Sequence, residues 1–310
     1  MQEIATRNGI TLAAELGRLD VDGSAYRRGV AAGRLVRVHR GAYMDAAQWR
    51  ELDRHERYRR QAIGAALASR SRPILSHYSA ARMWGIPIIG QWPSVVHVLA
   101  SRATGTRTEN GFRRHAGDPG ERRIVDVDGV RVTSVADTLL DLAATATFAC
   151  AVTSVDHALR TRLTTTAELR SLLVERGIKH APRRIQRVLD FATPLSGSPG
   201  ESLSRVVIHE LGFPPPELQM RFSDYRGHIG DVDFCWPRCR LIGEFDGLVK
   251  YTRDQYMRGR SIDQIVIAEK VREDRLRATG SSVSRWLWGT ALHPKELYQQ
   301  LTDAGLRTIR

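Results

Sequence analysis

Two stretches in the last third of the chain, Asp231-Val232-Asp233-Phe234 and Glu244-Phe245-Asp246, alternate an acid with an apolar residue. A period of two fits a strand and not a helix, because successive strand side chains point to opposite faces. Asp231 and Asp233 therefore share one face, and so do Glu244 and Asp246. Trp236-Pro237-Arg238-Cys239-Arg240 separates the two stretches and is the right length for a hairpin connection, so the acids are expected on adjacent strands. Pairing Asp233 with Glu244 across that hairpin would gather carboxylates whose mutual repulsion needs compensation. Hard oxygen ligands suit Mg²⁺ or Mn²⁺, and such an ion can activate water and neutralise a leaving oxygen in phosphodiester hydrolysis. Asp233, Glu244 and Asp246 are thus the expected metal ligands, with Lys250 a positive charge near the phosphate. The competing reading makes these acids solvated strand ends or partners of the chain's many arginines.

The charge balance points the same way. In 310 residues, 47 Lys+Arg face 34 Asp+Glu for a net charge of +13, which favours a polyanionic partner, nucleic acid first. All the basic residues except Lys179, Lys250, Lys270 and Lys295 are arginine. A 42% hydrophobic fraction with 26% charged residues excludes collagen-like, disulfide-scaffold and wholly disordered classes. No apolar run approaches a membrane span, and Met1-Gln2-Glu3-Ile4 does not begin a secretion signal, so a cytoplasmic protein is expected. Cys150, Cys235 and Cys239 are too few for a disulfide framework, and Cys235 with Cys239 lacks the further ligands a zinc site needs.

The length predicts two domains with a small third module. Residues 9–45 read as helix, turn, helix and hairpin: Leu12, Leu16 and Leu19 recur at helical spacing after a Thr11 cap, and a second helix runs over 25–32 to Gly33. Residues 34–43 then alternate apolar and basic around a glycine turn. Together these make a winged helix-turn-helix, in which Arg27, Arg28 and Arg34 could enter a major groove while Arg37, His39 and Arg40 meet phosphates. A basic helix is expected over 50–70, a short helix from Ser76, strands at 95–99 and 129–133, and helices through 148–192. His77, His97 and His115 have no Glu or Cys partners at ligand spacing and read as structural or surface histidines. Residues 193–200 are rich in Pro, Gly, Ser and Thr and read as a linker. The expected organisation is α+β multidomain: a winged helix over 1–48, a mixed α/β region over 49–192, the linker, and an α/β domain over 201–310.

That last domain resembles a known family. Gly200-Glu201-Ser202-Leu203, Glu210-Leu211-Gly212, Gln219, Asp231-Val232-Asp233-Phe234 and Ile242-Gly243-Glu244-Phe245-Asp246-Gly247 resemble Vsr-like endonuclease domains of the PD-(D/E)XK superfamily. Asp274-Arg275-Leu276-Arg277, Gly280 and Val283-Ser284-Arg285-Trp286 resemble the closing helix and strand. The resemblance implies a restriction-endonuclease-like fold with Glu201 as supporting helix acid, Asp233 as central ligand, and Glu244 and Asp246 as the second acidic pair. The place of the superfamily's same-strand lysine is Asp246 here. Gly33-Arg34-Leu35, Arg40-Gly41-Ala42-Tyr43, Ser76-His77-Tyr78-Ser79-Ala80-Ala81 and Val132-Thr133-Ser134-Val135-Ala136-Asp137-Thr138 resemble AbiEi-type antitoxins of toxin–antitoxin systems. That resemblance implies a winged-helix repressor of its own operon, with a cognate toxin as partner. Two functions follow as expectations: a metal-dependent endonuclease acting on double-stranded DNA, or a non-enzymatic repressor that keeps an inactive nuclease fold.

Overall fold

A computed structural model describes residues 8–16, 24–101, 105–178, 181–247 and 262–309. The chain is mixed α and β with several small sheets, within the expected α+β class. It divides into two units, Met1–Ala146 with Thr164–Arg187, and Thr147–Leu163 with Val188–Arg310.

The first unit opens on an antiparallel sheet of β1 (Ile10–Leu12), β2 (Leu35–His39) and β3 (Ala42–Asp45), in the order β1-β3-β2. Ile10–Leu12 was expected to begin a helix. It is instead a strand, because Ile10 and Leu12 both point into the core and pair in register with Met44 and Ala42. A helix over Ser24–Ala31 precedes the hairpin. It stops at Gly33, whose φ of +67° lets the Gly33 and Arg34 N–H groups bond back to Val30 and Gly29.

The helix expected over 50–70 runs over Arg54–Ala68, and a separate short helix, Ala46–Glu51, precedes it across extended backbone at Leu52 and Asp53. The Asp53 carboxylate caps the second helix by accepting from Glu56 N. Ala62, Ile63, Ala65 and Ala66 of that helix join Ile10, Val38 and Met44 in one cluster with Leu75, Val98, Phe112 and Val132. Residues 1–48 thus share a hydrophobic core with the following region. That region holds β4 (Val96–Ala100), β5 (Arg107–Glu109) and β6 (Phe112–Ala116) in the order β4-β6-β5, and the antiparallel pair β7 (Ile124–Val127) and β8 (Val130–Thr133). Leu75 bridges both Val98 and Val132. Helices over His77–Met83, Val135–Thr145 and Thr166–Glu175 complete the unit, the second capped by Ser134 as its sequence suggests.

The second unit is built on β9 (Glu217–Asp224), β10 (Gly227–Trp236), β11 (Leu241–Phe245) and β12 (Ser282–Trp286), in the order β12-β11-β10-β9. β10 is antiparallel to β9 and β11, whereas β11 and β12 run parallel and have the Ile262–Ala278 helix between them in sequence. One face stacks Phe234, Trp236 and Trp286. Trp286 Nε1 donates to Ser204 Oγ of the Pro199–Glu210 helix at 2.8 Å. Gly243 and Gly200 make this packing feasible. A Cβ on Gly243 would sit 2.6 Å from the Trp286 ring, and one on Gly200 would overlap the Phe245 ring.

Residues 193–200 belong to this unit, so the boundary differs from the linker expected there. Thr193 N donates to the Asp156 carboxylate at 2.7 Å, Gly197 N donates to Glu201 at 2.6 Å, and Ser196 is buried. Proline, glycine and serine serve here to make a tight, hydrogen-bonded entry into a helix. Replacing Gly200 by Ala is expected to lower the stability of the second unit by about 1–3 kcal/mol through overpacking. Gly289→Ala, where a Cβ meets nothing within 4 Å, should leave it unchanged in the same urea titration.

Candidate functional site

Glu201 lies in the first turn of the Pro199–Glu210 helix, where its N–H bonds the Ser198 cap at 3.2 Å. Its carboxylate accepts from Gly197 N and, at 3.0 Å, from the Gln219 side-chain amide. The same amide donates to Asp233 Oδ1 at 3.3 Å. Gln219 adopts a φ of +50°, a strained conformation for a non-glycine residue and one that recurs at functional positions. The other Asp233 oxygen accepts from Phe245 N at 2.8 Å. Because Phe234 pairs with Gly243, Asp233 stands opposite Glu244, the cross-strand juxtaposition expected from the alternation.

Beyond this point arginines decide the chemistry. Glu244 is buried, and Arg272 of the Ile262–Ala278 helix grips both its oxygens, at 2.8 and 3.1 Å. Arg285, the register partner of Glu244 on β12, adds a second guanidinium at 3.6 Å. Arg285 also pairs with Asp246 at 3.4 Å, Glu269 at 2.6 Å and Glu273 at 3.1 Å. Burial disfavours the charge on both arginines, but the carboxylates around them outweigh it and raise both pKa values.

A divalent ion needs several free hard oxygens. Here both Glu244 oxygens and Asp246 are committed to guanidinium groups, which already supply the compensating positive charge. Among the described residues no three His, Cys, Asp or Glu side chains form a metal-holding group. In this arrangement Asp233, Glu244 and Asp246 do not fit Mg²⁺ or Mn²⁺. Lys250 lies outside the described residues.

The second candidate surface belongs to the first unit. Arg27 and Arg28 on the Ser24–Ala31 helix, Arg34 after it, and Arg37 and Arg40 on the β2–β3 hairpin are all exposed. Helix and hairpin pack together through Tyr26 and Tyr43, whose rings lie 5.0 Å apart. The structure therefore brings the five expected arginines onto one helix–hairpin element.

Sequence spacing also missed a cluster in the first unit. His77, His97 and His115 come from a helix and two strands, are all buried, and meet. The His77 and His115 rings stack 3.5 Å apart, and His115 Nε2 bonds His97 Nδ1 at 2.9 Å. None is a surface residue. Asp141 lies 3.9 Å from His77 and is held from the other side by Arg122 and Arg176, each at 3.2 Å. The positive φ of His77, +48°, marks strain that no sequence pattern announces. Burial lowers His97 to about 3, His115 to about 4 and His77 well below its ordinary value, and it raises Asp141 to about 7.

No family model matches the chain. Two curated relatives, the uncharacterized proteins MT2308 (strain CDC 1551 / Oshkosh) and Rv2248 (strain H37Rv) of Mycobacterium tuberculosis, are each 29% identical over 164 residues. Each match covers 48% of this chain and 60% of the relative's length. A solved structure, the RV2827C protein from Mycobacterium tuberculosis, is 17% identical with a TM-score of 0.39, covering 63% of this chain and 74% of that one.

Two outcomes are expected. Arg272→Met leaves Glu244 buried with only the more distant Arg285, and should destabilise the second unit by about 3 kcal/mol in urea unfolding. The histidines must stay neutral in the fold but take protons in the unfolded chain below their ordinary pKa of 6.5. They therefore contribute full stability above 6.5 and lose it as pH falls toward about 4. Asp141 acts with the opposite sign, gaining stability as pH falls below about 7, and a single carboxyl does not offset the histidines. The thermal midpoint should fall across that window, with a shallower slope in His97→Asn.

Proposed function

We propose that this chain is a double-stranded-DNA-binding regulatory protein whose C-terminal unit keeps a nuclease-type arrangement of acids without hydrolysing DNA. The Ser24–Ala31 helix acts as the recognition helix and the β2–β3 hairpin as a wing. The observation that carries DNA binding is the grouping of Arg27, Arg28, Arg34, Arg37 and Arg40 on that element, all exposed. Among the described residues Arg27, Arg34, Arg37 and Arg40 pair with no carboxylate, so their charge is available to phosphates. The net charge of +13 supports the same partner. The AbiEi-type resemblance of the N-terminal half supports autoregulation of an operon, with a cognate toxin as protein partner.

Absence of hydrolysis rests on the Arg272 and Arg285 clamp on Glu244, which occupies the oxygens a catalytic ion would need. The endonuclease reading draws support from the shared Gln219 amide that links Glu201 to Asp233.

Fluorescence anisotropy with a labelled duplex over a salt series tests the DNA contact. Arg37→Ala and Arg40→Ala should each weaken binding and reduce the log–log salt slope by about 1. An unchanged slope in both variants would remove the hairpin from the interface. Supercoiled plasmid incubated with Mg²⁺, Mn²⁺ or EDTA should be retarded but uncut. Metal-dependent nicking that disappears in Asp233→Ala would replace this reading with the endonuclease.

A further inference from the structure

The histidine cluster borders a cavity of about 360 Å³ inside the first unit, lined among others by His77, His115, Arg122, Asp141, Ala144 and Arg176. Three features set it apart from an ordinary buried salt bridge. The first is unmet hydrogen-bonding capacity. Among the described residues, Asp141 Oδ2, Arg122 Nε and Arg122 Nη1 are buried without a hydrogen-bond partner, although leaving such groups unsatisfied is costly. Arg122 Nη1 lies 3.7 Å from Asp137, an ion pair too long for a hydrogen bond. In a cavity of this size such atoms are satisfied by what fills it, water or a ligand.

The second feature is the sign of the field. The carboxylates facing the cavity are Asp141 and, behind it, Asp137. Arg122 and Arg176 face them, and Arg113 acts on all three histidines from β6. After burial itself, Arg122 and Arg113 act against a charge on His77, and Arg122 and Arg176 line the same cavity. Neutral imidazoles can still donate one N–H each.

The third feature is size. At about 360 Å³ the cavity is much larger than a bare oxyanion needs and falls at the lower end of small-molecule pockets. Guanidinium forks match the geometry of phosphoryl oxygens, and an imidazole N–H completes such a set.

We infer that this cavity binds the phosphoryl group of a small phosphorylated molecule, with the unsatisfied Arg122 Nε and Nη1 on the phosphoryl oxygens, Arg176 held beside them by Asp137 and Asp141, and His77 and His115 as further donors. Asp141 Oδ2 then accepts from a hydroxyl or amino group on the same ligand, which discriminates a phosphorylated metabolite from inorganic phosphate. The site is independent of the DNA-contacting arginines, and its occupancy need not follow from the DNA-binding proposal.

Isothermal titration calorimetry of the full chain in phosphate-free buffer tests this with three probes: inorganic phosphate, adenosine monophosphate and adenosine. Binding of either phosphate-bearing probe, with adenosine silent, is the expected result. Tighter binding of the nucleotide identifies a phosphorylated metabolite as the source, and equal binding would overturn the discriminating role of Asp141 and leave the phosphoryl group alone. Arg122→Gln should weaken binding about tenfold or more, the loss expected when a charged hydrogen bond is removed. Ala144→Phe fills the cavity from a half-buried position on its wall, and should abolish binding while circular dichroism shows the fold retained. That variant decides the matter if Arg122→Gln fails to fold. Arg37→Ala/Arg40→Ala should bind the small probes normally. No heat with either phosphate-bearing probe, equal binding of adenosine, or binding that persists in Ala144→Phe would each overturn the proposal.

Discussion

Glu244 is a buried carboxylate gripped by two guanidiniums, and the second unit is arranged around that fact. An ionised carboxylate inside a sheet is tolerated only when charge and hydrogen bonds compensate it. Arg272 supplies them from the Ile262–Ala278 helix and Arg285 from β12. The interaction therefore ties three elements together: the strand that carries the acid, the helix that crosses over it, and the parallel strand beside it. It also sets the chemistry of the face. Positive charge that a nuclease would take from a metal ion is provided by side chains fixed in the fold.

The opposite face of the same sheet solves a different problem. Trp286 lies over Gly243 with its indole N–H on Ser204, and Phe245 lies where a Gly200 side chain would be. Two glycines within the acidic motifs are thus explained by packing. A motif that reads as catalytic is thus partly a record of how closely a helix must approach a sheet. Glu201 shows the overlap: it holds the helix entry through Gly197 and reaches Asp233 through Gln219.

The first unit distributes its charge in the reverse manner. Its exposed arginines lie on a helix and a hairpin, and the hairpin's apolar side joins a core continuous with the following region. Its buried charges gather with three histidines around a cavity. Exposed cations suit a polyanion met from solvent, whereas buried groups with unsatisfied atoms suit a small molecule that enters and fills them.

The sequence by itself determined local matters. Alternation at Asp231–Phe234 and Glu244–Asp246 placed the acids on neighbouring strands in the register observed, because a period of two is a property of the backbone. The basic hairpin and the Ser134 cap were legible for the same reason. The first helix starts at Ala13–Leu16, after a strand over Ile10–Leu12 that leucine spacing does not reveal, because that spacing is a local signal and pairing with β3 is not; Leu19 lies outside the described residues. Residues 193–200 looked like a linker because turn chemistry reads alike whether it joins units or enters a helix. Only the tertiary structure decided what faces each charge. Arg272 and Arg285 stand 28 and 41 residues beyond Glu244 in sequence, and His77, His97, His115 and Asp141 converge from separate elements. Compensation of a buried charge depends on distances of a few ångströms between residues far apart in the chain, and spacing along the chain carries no information about those.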